Sequence, residues 1–368
     1  MPDSKRDKGS NMRIALVTTI KPVKDSGNGG AEYAHALYEC LSRGNDVDVV
    51  YALESPRRND VGGLAYTNTL FKAKVKLLAS EAYDIVHVTD QELGFVAKIL
   101  HGRTSAKIVT TVHDLERFRK ELYRGFVQKA YNEIVKRNII SALRYSDGIL
   151  CNSSQTLEDV KAVFGTPKRC MVVSHPVKPS VLKAASPIRK RHGTFTIGYI
   201  GALAYHKNVM LLLKAAKLMK NEKAYRFMVY GTGTEHDSLV DYKNRNGLDN
   251  VEFPGFADEK RIAQIYDSFD VFVFPSMCEG MGLPILEAQS RGLPTIIYSK
   301  GRITEEVARY CFKARDERQM AQIIRRLHTK GYSEKGRKKE TAYAREFSDE
   351  ATAGKTFEFY KSVLAHQH

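Results

Sequence analysis

The sequence lacks any apolar run approaching the roughly 20 residues of a membrane-spanning helix, which excludes a transmembrane reading. It has no C-x-x-C pair: its five cysteines, Cys40, Cys151, Cys170, Cys278 and Cys311, are scattered and odd in number. That disfavours a disulfide framework and a zinc site, and favours reduced thiols in a cytoplasmic compartment. Zinc-finger spacings and RNP-like aromatic motifs are missing, so nothing beyond charge points to nucleic acid. There is no internal repeat and no low-complexity segment. Residues 1–11, "MPDSKRDKGSN", contain no apolar stretch or cleavage site, so they read as a disordered tail rather than a secretory signal.

What is present suits a soluble globular chain, 43% hydrophobic and 27% charged, and its 368 residues are too many for one ordinary core. Two domains are expected. The net charge of +16 calls for an anionic partner: nucleic acid, a membrane surface or a phosphorylated small molecule.

Short β-branched runs alternate with longer amphipathic ones, the pattern of β-α-β units feeding a parallel sheet. The first half offers "RIALVTTI", "DVDVVYAL", "YDIVHVTD", "AKIVTTVHD", "DGILCNS" and "CMVVSHPV" as strands. The second offers "FTIGYIGA", "YRFMVYGTG", "VEFPGF", "FDVFVFPS" and "LPTIIYS". The expected division is a Rossmann-like domain over 12–175, a Pro-rich basic linker over 176–194 and a second Rossmann-like domain over 195–345. A terminal helix over 346–368 is expected to cross back to the first domain.

Ligands of such sheets bind outside the carboxyl ends of the strands, so polar groups there are the candidates. Gly27, Gly29 and Gly30 precede a helix after the first strand and let a ligand approach the backbone. They match neither G-x-G-x-x-G nor a P-loop, and a plain flexible loop stands beside the phosphate or sugar reading. His113 and Asp114 leave the fourth strand; His113 suits a sugar hydroxyl or proton transfer, and Asp114 suits a helix cap at Leu115. Gly201 and Lys207 open the second domain, with Lys207 a compact charge beside helix N–H groups. In "SMCEGMGLPILEAQSRGLP", Glu279 stands in a glycine turn and Glu287 about two helical turns beyond. Carboxylates in so apolar a segment need hydrogen-bond donors, which vicinal hydroxyls supply.

"FPSMCEGMGLPILEAQSRGLPTI" resembles the E-x7-E signature of retaining glycosyltransferases of family 4 (group 1), with the GT-B fold. "GNGGAEYAHAL", "TVHD", "NSSQTLEDV" and "GALAYHKN" resemble that family's other motifs in the same order. The resemblance implies two Rossmann-like α/β domains facing across a cleft. It gives Glu279 the transferred sugar, Gly280, Met281, Gly282 and Leu283 the sugar and distal phosphate, and Glu287 the ribose. Lys207 would stabilise the departing diphosphate, Gly29 and Gly30 would close over it, His113 would position the donor sugar, and Phe256 would lie near the base. Ala202 is a departure, since the family commonly has Arg there.

The implied reaction moves a hexose from GDP-mannose or a UDP-hexose to a lipid-linked or saccharide hydroxyl, by same-face attack with retention. No metal or other cofactor is expected, because no D-x-D follows a strand. The basic, aromatic-interleaved segment 115–145 reads either as a contact for an anionic bilayer or as an ordinary helix with a solvated basic face. The expected location is the cytoplasm or the membrane's cytoplasmic face, with no nucleic-acid partner. The alternatives are a nucleotide-sugar epimerase of the same fold, and a non-catalytic nucleic-acid- or sugar-binding protein on the same scaffold.

Overall fold

The computed structural model describes residues 11–23, 29–54, 69–118, 126–182 and 193–365; the expected tail through residue 10, Gly27, residues 119–125 of the basic segment and residues 183–192 of the expected linker lie outside them. The chain divides into two units, residues 1–176 with 349–368, and residues 177–348.

Unit 1 holds a parallel sheet of β1 (Arg13–Ile20), β2 (Asp46–Leu53), β3 (Ile85–Val88), β4 (Lys107–Val112), β5 (Gly148–Cys151) and β6 (Cys170–Val172), in the order β2-β1-β3-β4-β5-β6. Successive side chains of a strand point to opposite faces. Accordingly Ala15 and Val17 join Phe71, Val75, Val96 and Leu100 on one face. Ile14 and Leu16 join Tyr33, Leu37, Phe359 and Val363 on the other. Phe359 and Val363 belong to the helix Asp349–Leu364, so the chain's last helix completes this unit's core.

Unit 2 repeats the plan with β7 (Phe195–Ile200), β8 (Tyr225–Tyr230), β9 (Val251–Gly255), β10 (Val271–Phe274), β11 (Thr295–Tyr298) and β12 (Phe312–Ala314), in the order β12-β11-β10-β7-β8-β9. All eleven strand candidates of the sequence form; β12 is additional. The start of the expected linker is not a linker: Val177 and Val181 are fully buried in the core of unit 2, and Pro179–Leu182 form a helical turn. Prolines suggested a spacer, but the two valines between them have apolar surface to bury.

The segment after β4 also differs from one helix starting at Leu115. A short 3-10 turn, Glu116–Phe118, comes first, and the long helix runs Phe126–Tyr145. Its Val135, Ile139 and Leu143 are buried against Val112, Ile149 and Val160, with Phe118 packed at the edge. Lys129, Arg137 and Arg144 stay exposed. Among the described residues no helix is long and apolar enough to cross a membrane.

Candidate functional site

In unit 2 the strand order changes direction between β7 and β10, and a doubly wound sheet leaves its ligand crevice at such a point. Lys207 follows β7 and Glu279 follows β10, 72 residues apart in sequence. The structure brings them together: Lys207 Nζ donates to both carboxylate oxygens of Glu279 at 2.6 and 2.8 Å. The side chains are 17% and 9% exposed, and Nζ also lies 5.6 Å from the centre of the Phe274 ring.

Backbone bonds fix the two segments in register. Met277 N–H donates to the His206 carbonyl at 2.8 Å, and Asn208 Nδ2 to the Pro275 carbonyl at 3.1 Å. Glu279 N–H donates to the Arg302 carbonyl at 3.0 Å, and Arg302 N–H to that of Met277 at 2.8 Å. Asn208 adopts the left-handed conformation before the helix Val209–Leu218.

Gly282, at φ 87°, turns the chain into the helix Leu283–Ser290 with Pro284 in its first turn. A Cβ on Gly282 would stand 3.7 Å from Glu279 Cγ, so the turn and the carboxylate share one wall. Gly280 and the buried Met281 complete the turn. Glu287 lies on the same helix, buried, with Oε2 accepting from the Tyr266 hydroxyl at 2.7 Å. Burial, then the charge of Glu287, push the Tyr266 phenol well above its ordinary range, so it remains a proton donor. Gly201 follows β7 directly, its N–H bound to the Tyr230 carbonyl at 3.1 Å. The neighbouring Ala202 carbonyl accepts from the Tyr199 hydroxyl at 2.9 Å. Phe256, just beyond β9, is 64% exposed.

Unit 1 holds the other sequence candidates. Gly29 and Gly30 open the helix Gly29–Leu41. His113 follows β4 with both ring nitrogens engaged: Nε2 meets the Thr89 carbonyl at 2.6 Å, and Nδ1 meets His175 Nε2 at 2.8 Å. A carbonyl only accepts, so Nε2 donates to Thr89. His175 also stacks on Tyr33 with ring centres 4.5 Å apart, and burial holds its pKa well below the ordinary value.

Sequence reasoning missed His175, Tyr266 and Asp90. Asp90 had a signal, since it ends the strand run "YDIVHVTD" as His113 ends the next. His175 had the same signal at the end of "CMVVSHPV", whereas Tyr266 had none, since it stands in neither a glycine turn nor a strand end. Among the described residues no three or more His, Cys, Asp or Glu are grouped to hold a metal ion.

Two family models match the chain, "Glycosyltransferase Family 4" over residues 27–181 and "Glycosyl transferases group 1" over 194–330. An uncharacterized glycosyltransferase of Methanocaldococcus jannaschii is 26% identical over 330 residues, 80% of this chain and 82% of the relative. The O-antigen chain mannosyltransferase B of Escherichia coli is 26% identical over 311 residues, 77% of this chain and 80% of the relative. The UDP-Gal:alpha-D-GlcNAc-diphosphoundecaprenol alpha-1,3-galactosyltransferase of Escherichia coli is 28% identical over 238 residues, 60% of this chain and 59% of the relative. Among solved structures, sucrose-phosphate synthase from Thermosynechococcus elongatus superposes with a TM-score of 0.78 at 18% identity, covering 96% of this chain and all of that one. Anabaena HepE in complex with UDP and glucose gives a TM-score of 0.70 at 17% identity, with coverage of 96% and 100%. With one family model on each unit and the fold of both shared with these enzymes, the chain belongs to the group 1, family 4 glycosyltransferases of GT-B fold.

Proposed function

We propose that the chain moves a hexose, with retention and without a metal, from a nucleoside diphosphate sugar to a hydroxyl of a lipid-linked or saccharide acceptor. GDP-mannose or a UDP-hexose is the donor. The observation that carries this is the Lys207–Glu279 pair at the switch point of unit 2. A diphosphate sugar has partners for both ends of that pair: sugar hydroxyls donate to Glu279, and phosphate oxygens accept from Lys207. The donor exchanges one ion pair for two charge-assisted sets of bonds, and the helix opening at Gly282 adds N–H donors on the phosphate side.

Breaking the anomeric C–O bond leaves its electron pair on the diphosphate and oxocarbenium character on the sugar. Lys207 stabilises the first as a fixed, largely buried charge held in place before the bond breaks. The acceptor oxygen attacks from the leaving group's face, and its proton passes to the departing phosphate. Glu287, aligned by Tyr266, holds the ribose hydroxyls; Phe256 offers a face to the base. The E. coli galactosyl- and mannosyltransferase relatives favour a lipid-linked or saccharide acceptor. The exposed Lys129, Arg137 and Arg144 offer such an acceptor's membrane an electrostatic contact.

Proton NMR of the anomeric signal during turnover, with and without EDTA, tests the proposal. An axial donor should give an axial product at the same rate in both. An inverted product, or activity abolished by EDTA and restored by a divalent cation, overturns the mechanism.

A further inference from the structure

The sheet of unit 1 ends on β2, and among the described residues no strand pairs with its outer edge. Such an edge carries a row of N–H and C=O groups open to a further strand, and proteins blunt it with short strands, lysines or prolines. β2 is not blunted in this way: it runs for eight residues, "DVDVVYAL", with no proline and no lysine. Six of the eight are apolar, yet none is buried, whereas Ile14 to Val17 of the neighbouring β1 are buried completely. The helix Thr69–Leu77 continues this apolar surface. Its Phe71 and Val75 belong to the core, but Leu70 and Leu77 are 75% and 63% exposed and form, with the exposed Ala73, a second stripe at i, i+3 and i+7. Leu77 lines an open hollow together with Val49 and Val50, so the stripe and the strand edge adjoin.

The charges along the edge select the partner. At the start of β2, Asp46, Asp48 and Glu81 all pair with Arg13, at 3.5, 3.5 and 2.9 Å, three carboxylates on one guanidinium. At its end, Lys21 and Lys74 stand 5.5 and 5.3 Å from the centre of the Tyr51 ring, with Glu54 bound to Lys21 at 3.2 Å. These described groups make one end of the strand net acidic and the other net basic, about 23 Å apart. A twofold axis through the middle of β2 brings up a second copy antiparallel, and sets each acidic end against the other copy's basic end. An anionic lipid surface, by contrast, would be repelled by the acidic end.

We infer that this edge is a self-complementary interface between two copies of the chain. β2 pairs with β2 of the second copy in antiparallel fashion, joining two six-stranded sheets into one, and the stripes of Leu70, Ala73 and Leu77 pack on each other across the axis. The inference stands on unit 1 alone and does not rest on the transferase reading.

Sedimentation equilibrium of the full chain tests it, together with hydrogen–deuterium exchange of the peptide spanning β2. At micromolar concentration the wild type should have twice the 41.5 kDa mass of one chain. Leu70→Glu with Leu77→Glu should halve that mass, keep the far-UV dichroism spectrum because both positions are exposed, and abolish the protection of the outward amides of β2. Asp46→Lys should loosen the dimer several-fold, and adding Lys21→Glu should restore it by exchanging the charges across the axis. Leu218→Glu, a control at an exposed leucine of unit 2, should change neither mass nor protection. Single-chain mass in the wild type, a dimer indifferent to the two leucine changes or lost equally in Leu218→Glu, or β2 exchange alike in dimer and monomer overturns the inference. So does a monomer that needs Leu70 and Leu77 to bind phosphatidylglycerol vesicles, which would make this face a membrane contact.

Discussion

Replacing Lys207 by methionine separates what the Lys207–Glu279 pair does for the fold from what it does for the reaction. Methionine keeps most of the chain's length but removes the charge, leaving the carboxylate of Glu279, 9% exposed, without its ammonium. Breaking a buried pair from one side costs about 3–5 kcal/mol. The lower end applies here, about 3 kcal/mol, because the Lys207 side chain retains 17% exposure and water reaches the pair from that side. Glu279→Gln alone keeps an oxygen facing the ammonium and costs about 1–2 kcal/mol. The double variant, Lys207→Met with Glu279→Gln, buries no charge and should lose only about 1 kcal/mol. In thermal unfolding of a unit this size, each kcal/mol moves the midpoint by about 2–4 °C. Lys207→Met should therefore drop by about 6–12 °C, and adding Glu279→Gln should restore most of that. Sugar transfer should behave oppositely: every variant without the lysine should lose about 10²–10³ in turnover, since none stabilises the leaving phosphate. A double variant no more stable than Lys207→Met would refute the buried-pair argument, and wild-type turnover in Lys207→Met would refute its role in the chemistry.

Gly231→Ala should destabilise unit 2 by about 2 kcal/mol or more, because its Cβ would fall 1.9 Å from the carbonyl oxygen of Gly201 at a φ of 147°; an unchanged thermal midpoint contradicts this. Phe256→Ala should leave stability nearly untouched but weaken nucleotide binding about tenfold in calorimetric titration, as loss of a stacking face does; unaltered affinity removes Phe256 from the site. Burial holds His87 at about 3 and His175 well below the ordinary 6.5, so an unfolded chain takes up protons near pH 6.5 that folded unit 1 refuses. These two histidines should thus add no pH dependence above 6.5 and cost about 1.4 kcal/mol per pH unit each as pH falls below it. Urea midpoints between pH 7 and 5 should show that slope, and His87→Gln should remove one histidine's share; a flat profile contradicts the burial argument.

The architecture was legible because buried parallel strands leave a strong local signal, and both sheets follow from apolar runs separated by amphipathic ones. β12 was not legible: Phe312–Ala314 is too short to show a period. Val177 and Val181 were misread because local composition speaks for a linker, and only a core some distance along the chain reveals what covers them. At the site, each residue could be placed at a strand end, yet no spacing announces that Lys207 grips Glu279 across 72 residues or that Tyr266 aligns Glu287. For His113, sequence gave a titratable group near a ligand crevice. No spacing foretold that Thr89 and His175 would engage both its ring nitrogens.

The central claim is that unit 2 binds a nucleoside diphosphate sugar through Lys207 and Glu279. A thermal-shift panel of UDP-, GDP- and ADP-sugars against the wild type and Lys207→Met tests it most directly, because a ligand bound only by the folded state stabilises by about 2.7 kcal/mol at a hundredfold excess over Kd. The sugars of one nucleotide, either UDP or GDP, should raise the wild-type midpoint, and that shift should be largely lost in Lys207→Met. No shift with any member of the panel, or an equal shift in both proteins, would contradict it.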